Sequence, residues 1–413
     1  MAVSSRDQNV LRELGKQVAE IAALPEQQDT IALWKALNGL RPVRPMVMID
    51  QIPWHEMEVG DELALQCEDE FCQAIEAGLR RTRYAWRHMR ADMVVEPVVE
   101  IPKVIHGEGF GVEVQERIAV TDPRNDVVGH AYSDQMKTDE DMRRIRDPEV
   151  WLDERATADA EEKAHDIFDG ILTVRMQGRF PVFAPWDIIA CWRSPEHALM
   201  DLVERPEFTH RLVARLTEVH LSLLDQLEQQ GLLGWGQRLI HCTGAYTDEL
   251  PAPGFDPARP RARDLWTYGM AQVFSAVSPA MHEEFWLAYA ARWFSRFGLG
   301  YYGCCEPLHA KVDIIRKVPN VRKISMSPWV DQEQGAARIG CDFVFSRKPS
   351  PALLAGDVWD PERVEQDLRA TVRICVQHGC PLELILKDIS TVRYQPQRLW
   401  QWAEIARRVV TEG

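Results

Sequence analysis

Short apolar runs recur along this chain, and each ends in polar or reactive residues. Residues 46–49 lead into Pro53, Trp54, His55 and Glu56, and residues 93–95 lead into Glu96. Leu239 and Ile240 precede His241, Cys242 and Thr243, while Tyr301 and Tyr302 precede Gly303, Cys304, Cys305 and Glu306. Later runs reach Ser325, Ser327 and Trp329, then Ser346, Arg347 and Lys348, and last Lys387 and Asp388. Apolar runs this short, separated by helix-like stretches, are the pattern of parallel strands buried on both faces. Chemistry at the carboxyl end of one strand after another predicts a closed barrel with its site at that mouth.

The expectation is therefore an α/β fold: a (β/α)8 TIM barrel with an N-terminal helical extension and a β-hairpin insertion after strand two. The extension covers residues 1–42 and the barrel 43–413. Leu11, Leu14, Val18 and Ile21 share one face of a first helix, and Ile31, Trp34 and Leu37 one face of a second, with Asn38-Gly39 as a left-handed stop. Strands are expected near 45–50, 92–96, 171–176, 237–242, 299–304, 321–326, 341–346 and 382–387. Val112, Val114, Ile118, Val120, Val127 and Val128 around Asp122-Pro123-Arg124-Asn125 read as the hairpin. The clearest helix spans 207–229, where Phe208, Leu212, Leu216, Val219, Leu223 and Leu227 recur at three- and four-residue spacing.

A chain of 413 residues with 46% hydrophobic residues can bury a large core. Its net charge of −15, with no basic block to offset it, excludes a phosphate-backbone partner. No uninterrupted apolar stretch approaches the roughly 20 residues that span a bilayer. Nine cysteines without a disulfide framework predict a reducing cytoplasm.

At the strand ends, His55 or Glu56 can serve as acid or base, with Trp54 as a pocket wall. The alternative there is a buried tryptophan beside two solvated polar residues. Glu96, at the expected end of strand two, suits proton transfer if desolvated, and otherwise pairs with Arg87 or Arg90. His241, Cys305 and Glu306 offer imidazole, thiolate and carboxylate, a zinc-like donor set without diagnostic spacing. Adjacent cysteines on a strand point to opposite sides, so only one of Cys304 and Cys305 is expected to face the mouth. Lys387 and Asp388 either orient an anionic group and a proton or pair with each other. No GxSxG elbow, P-loop or GxGxxG is present.

The order of these strand-end motifs resembles the uroporphyrinogen decarboxylase superfamily, closer to its corrinoid-dependent methyltransferase branch than to the decarboxylases. The resemblance spans about residues 40–410. It is carried by the strand-two segment before the hairpin, by residues 302–308, by Ser325-Met326-Ser327-Pro328-Trp329, by Ser346-Arg347-Lys348-Pro349, and by residues 386–391. It implies a (β/α)8 barrel. The decarboxylases' arginine-rich N-terminal signature is missing, since strand one ends in Ile52-Pro53-Trp54-His55-Glu56. Zinc-dependent methyltransferases of the family use a His-x-Cys element on strand five and a cysteine on strand eight. Here Gly303 and Cys305 stand at the first two places and Lys387-Asp388 at the third, so one ligand of three is kept.

The function this implies is methyl transfer from a small methylated donor, of methyl ether or methylamine type, to the Co(I) corrinoid of a partner protein. No corrinoid-binding Asp-x-His-x-x-Gly segment occurs in this chain, so the corrinoid is expected to arrive on a separate protein. Glu96, His241 and Glu306 are the candidate catalytic groups. Trp54, His55, Tyr302, Ser327, Trp329, Lys348 and Asp388 are the candidates for binding substrate. Zinc, where held, falls to Cys305, His241 and Glu306, and a homodimer is compatible with the chain. The alternatives are decarboxylation of a carboxylated ring compound, or corrinoid or tetrapyrrole binding without turnover.

Overall fold

The computed structural model describes residues 3–120, 123, 125 and 128–412. Its centre is a six-stranded parallel sheet. We number the parallel strands β1 (Met46–Ile49), β2 (Val98–Pro102), β3 (Thr173–Gln177), β4 (Trp266–Gly269), β5 (Leu299–Tyr302), β6 (Val321–Met326), β7 (Val344–Arg347) and β8 (Leu382–Leu386). The sheet runs β1-β8-β7-β6-β5-β4, and β2 pairs in parallel with β3 as a separate ladder. A single parallel bridge, Phe183 to Gly269, links the chain just after β3 to β4. The fold is thus mixed α/β around a parallel sheet, with long helices after β1, β2, β3 and β7 and shorter ones after β4, β5 and β6.

Six of the expected strands fall within three residues of where periodicity places them, and β6 among them matches to the residue. Two expectations fail. Residues 92–96 do not form strand two, because Asp92 takes over the edge of β1: its amide donates to the Val47 carbonyl at 3.0 Å and its carboxylate accepts the Val47 amide at 2.7 Å. Arg44 holds that carboxylate by two further bonds, at 2.6 and 2.9 Å. The ladder starts only at Val98, so Glu96 stands before the strand and not after it.

The second failure is strand four. Leu239–Ile240 turns back at once on Thr243–Gly244 as a two-residue antiparallel hairpin, with His241 at φ +53° in the turn. The parallel strand belongs to Trp266–Gly269, beyond a loop that holds Pro251, Pro253, Pro257 and Pro260. The excursion after strand two is a hairpin, Glu116–Ala119 against Gly129–Tyr132, but Asp122, Arg124 and Val127 of its expected turn lie outside the described residues. The second helix closes at Leu40, φ +58°, one residue after the expected Gly39.

The N-terminal helices, Ser5–Ala22 and Glu26–Asn38, are fastened to the rest. Leu11, Leu14 and Val18 join Cys72, Leu79, Val99 and Phe168 in one apolar cluster. Asn38 donates to the carbonyls of Gly244 (3.0 Å) and Tyr246 (2.7 Å), which seats the 239–244 hairpin. Trp34 lies so close to Gly244 that a Cβ there would stand 2.6 Å from its ring, so only glycine fits.

This hairpin packs on one face of the sheet around a fully buried ion pair. Lys323 Nζ lies 2.8 Å from Glu383 Oε2 and also reaches Thr243 Oγ1 at 3.2 Å and the Gly244 carbonyl at 3.1 Å. Thr243 donates to the same carboxylate at 2.7 Å. Removing one partner of a buried pair strands the other charge without solvent. Glu383→Gln should therefore cost about 3 kcal/mol, read as a lower urea midpoint at unchanged slope. On the opposite face Phe183 stacks on Trp286 and Trp293 at 5.0 and 5.1 Å. Among the described residues no helix is long and apolar enough to cross a membrane.

Candidate functional site

The hairpin turn carries His241 to the carboxyl ends of the strands. Its ring lies against Tyr268 of β4 and Tyr301 of β5, with centroids 4.8 and 5.3 Å away. Its Nε2 is 3.4 Å from Nζ of Lys387, the residue following β8. That ammonium also lies 3.1 Å from Cys304 Sγ and 3.5 Å from Asp388 Oδ2. Burial, then the charges of Lys387 and Lys348, push His241 down to about 2. The imidazole is therefore neutral, and against an ammonium its Nε2 is the acceptor. Burial opposes charge on Lys387, but Cys304, Cys242 and Asp388 outweigh it and hold the lysine above its ordinary value.

Lys348 is buried just beyond β7. Its Nζ donates to Ser346 Oγ at 2.7 Å, to the Ser346 carbonyl at 3.1 Å and to the Tyr301 hydroxyl. Burial lowers it to about 8. Strand alternation explains why Tyr301 belongs to this group and Tyr302 does not. The Tyr302 hydroxyl lies on the far face, 2.6 Å from His282 Nε2, so the residue expected to bind substrate is core.

Gly303, at φ +90°, turns the chain sharply after β5, and a Cβ there would stand 2.3 Å from Leu308. Cys304 and Cys305 consequently leave the strand, and their sulfurs lie 3.5 Å apart instead of on opposite sides. Cys305 Sγ approaches Asp388 Oδ2 at 3.6 Å. Asp388 itself sits at φ +55°, with its amide donated to Gln51. Glu306 is fully buried and acts on the backbone: Oε1 accepts the Ala271 amide at 3.2 Å and Oε2 the Cys304 amide at 2.9 Å. It ties the loop after β4 to the loop after β5.

Two further carboxyl groups, missed in the sequence, lie within electrostatic reach of this cluster, Asp187 of Glu306 and Tyr268, and Asp50 of Lys387 and Asp388. Asp187 opens the helix Pro185–Arg193, which follows the Phe183 bridge, and accepts from Gln272 Nε2 at 2.8 Å. Burial, aided by the charge of Glu306, raises it to about 6. Asp50, following β1, is also raised by burial. The signal for Asp187 was in the sequence: Ala184-Pro185-Trp186-Asp187 follows the apolar run Phe180–Phe183, another strand end with a reactive residue.

Trp54 and His55 lie on the one-turn helix Trp54–Glu56 that follows β1. Trp54 meets Tyr84 edge-on at 5.9 Å, with the Arg81 guanidinium 5.2 Å from its ring centre. They border a cavity of about 610 Å³ shared with Gln51, Glu58, Arg81 and Ile389. Glu56 accepts from Thr391, Val392 and Tyr394, which fixes the loop after β8. Ser327 is buried with its hydroxyl unpartnered, whereas Trp329 is 76% exposed.

Glu96 is elsewhere. It faces Arg238 at 3.8 Å, and both border a separate cavity of about 300 Å³ with Arg175, Trp235 and Tyr246. The expected partners Arg87 and Arg90 instead meet Glu62 and Glu26.

The zinc set does not fit. Among the described residues no group of three or more His, Cys, Asp or Glu side chains is placed to hold a metal. His241 Nε2 looks at an ammonium, which would repel a dication, and the Glu306 oxygens already hold two amides.

No protein family model matches the chain, and no curated protein does. A solved structure does: a methyltransferase from Methanosarcina mazei superposes with a TM-score of 0.50 at 10% identity, covering 92% of this chain and 98% of that one. At that identity the likeness concerns the fold.

Proposed function

We propose that this chain is a methyltransferase of the uroporphyrinogen decarboxylase superfamily's corrinoid-dependent branch. It would move a methyl group from a small ether or amine donor to the Co(I) corrinoid of a partner protein. In this reading the β1-β8-β7-β6-β5-β4 sheet and the β2-β3 ladder are staves of one (β/α)8 barrel, preceded by the helical extension 1–42. The bridge from Phe183 to Gly269 and the order of the strands support it. All nine cysteines are unpaired, which supports a cytoplasmic setting.

One observation carries the proposal. His241, Tyr268, Cys304, Cys305, Lys387 and Asp388, far apart in sequence, meet at the carboxyl ends of parallel strands, where barrel enzymes do their chemistry. The corrinoid supplies a strong nucleophile. What this chain must supply is alignment and a proton for the departing heteroatom. Asp187, raised to about 6, suits the proton-donating task. His241 is neutral and Glu306 is committed to the backbone, so neither keeps the acid role. His241 instead accepts from Lys387, and the pair presents positive charge to a leaving oxygen. The cavity beside Trp54 and His55 would take the donor, and exposed Trp329 would meet the partner.

A second reading is favoured by Lys348 and Lys387, two buried ammonium groups that both act on His241. A carboxylated substrate would be drawn to them, and decarboxylation would follow. Incubation with reduced cobalamin and a panel of methyl ethers and amines separates the readings. Loss of the Co(I) absorption band is expected. Carbon dioxide release from carboxylated ring compounds would favour the second reading, and spectral shifts without turnover would leave a binding protein.

A further inference from the structure

The vicinal thiols have a chemistry of their own, independent of methyl transfer. Two sulfurs 3.5 Å apart are far closer than free cysteines need to be, and need approach by only about 1.5 Å to reach disulfide bonding distance. Both are free. Cys304 is buried and Cys305 half-buried, so a reagent reaches Cys305 first. Cys304 is held above the ordinary thiol range, first by its hydrogen bond to Cys305 and then by burial. The more accessible sulfur, Cys305 Sγ, donates to Asp388 Oδ2 at 3.6 Å. Lys387 Nζ, 3.1 Å from Cys304 Sγ, then favours ionisation of the second thiol once the first has reacted.

We infer that Cys304 and Cys305 form a thiol–disulfide exchange site that closes into a vicinal disulfide when offered a small-molecule disulfide. Cys305 Sγ attacks one sulfur of the reagent, whose S–S bond breaks and releases one thiolate. Cys304 Sγ then attacks Cys305 Sγ, forming the Cys304–Cys305 bond and expelling the second thiolate. The two protons lost by the cysteines end on the two released thiols. The cysteines are oxidised by two electrons and the reagent is reduced by two. Adjacent Cα atoms stand about 3.8 Å apart, short of the usual span of a disulfide, so the eight-membered ring is strained and reopens with a mild thiol. Closure also draws Cys304 from Lys387 and Cys305 from Asp388, which alters the cluster that surrounds His241.

The test uses the full reduced chain, oxidised glutathione as reagent, rapid alkylation and tryptic mass spectrometry. Both cysteines fall on the peptide Phe297–Lys311, bounded by Arg296. The expected product is that peptide two hydrogen masses lighter, carrying neither alkyl group nor glutathione, and restored by reduced glutathione. Cys304→Ser should instead stop at a stable glutathione adduct on Cys305, because the resolving sulfur is gone. The inference is overturned if wild type also stops at that adduct. It is equally overturned if both thiols stay alkylatable, or if either cysteine links to Cys242 or another cysteine. None of these readouts depends on methyl transfer.

Discussion

Asp187→Asn should reduce methyl transfer by about 10²–10⁴-fold, the range for loss of a positioned acid. The substitution keeps the shape of the side chain and its contact with Gln272, so a loss reflects the missing proton. The pH profile gives the sharper signature. A group raised to about 6 is protonated below that pH and ionised above it. If the protonated form does the work, wild-type kcat/KM falls about tenfold per pH unit above 6. The asparagine variant should lack that limb. Retention of the limb in the variant would move the acid to another residue, with Asp50 the next to test.

Acid should destabilise the fold steeply from about pH 6.5. His220, His241 and His282 are held at about 4, about 2 and about 3, by burial in every case. Lys387 and Lys348 add to the effect at His241, and Lys311 at His282. Each folded value lies below the ordinary 6.5, so the folded chain binds fewer protons than the unfolded one. The stabilisation is therefore complete above pH 6.5 and is lost as pH falls towards the folded values. By pH 5 each histidine forfeits about 2 kcal/mol, so the three together lose about 6 kcal/mol. Asp187, raised instead of lowered, returns about 1 kcal/mol over the same interval. A net loss near 5 kcal/mol is comparable to the whole stability of many domains. Urea unfolding at pH 7.5 and pH 5 measures it, and His220→Phe, which fills an aromatic pocket with Phe110 and Phe183, should soften the loss. Equal midpoints at the two pH values would contradict the account.

What the sequence made legible was the parallel sheet, because buried strands write themselves as apolar runs whatever else the chain does. Strand β4 escaped because Trp266-Thr267-Tyr268-Gly269 is short, aromatic and half polar, and sits behind a proline-rich loop. Residues 237–242 attracted the strand assignment instead, since nothing local reveals that His241 will adopt a left-handed turn. Misplacing that turn did not misplace His241, which still reaches the strand ends. Glu96 failed for a different reason. The competing partner for the β1 edge, Asp92, is a side chain acting as backbone, which no periodicity registers. For Tyr301 and Tyr302 the sequence offers both hydroxyls, and only the pleat decides which one turns towards His241.

The site was legible as a list of residues and not as a set of roles. Glu306 looks like an acid in sequence, yet its oxygens are consumed by two amides that the folded loops bring to it. Lys387 reads in sequence as a partner of Asp388 or as a group that orients an anion, and it does pair with Asp388. In the fold it is buried and central, touching imidazole, thiol and carboxylate together.

Transfer of a labelled methyl group tests the central claim most directly. The full chain is mixed with a carbon-13-methyl ether or amine and chemically reduced cobalamin, and the label is followed by carbon-13 NMR in a single turnover. The account predicts that the labelled carbon appears on cobalt at a rate that Asp187→Asn depresses, with no carbon dioxide released. Label that stays on every donor in the panel, while Co(I) persists unchanged beside folded protein, would contradict it.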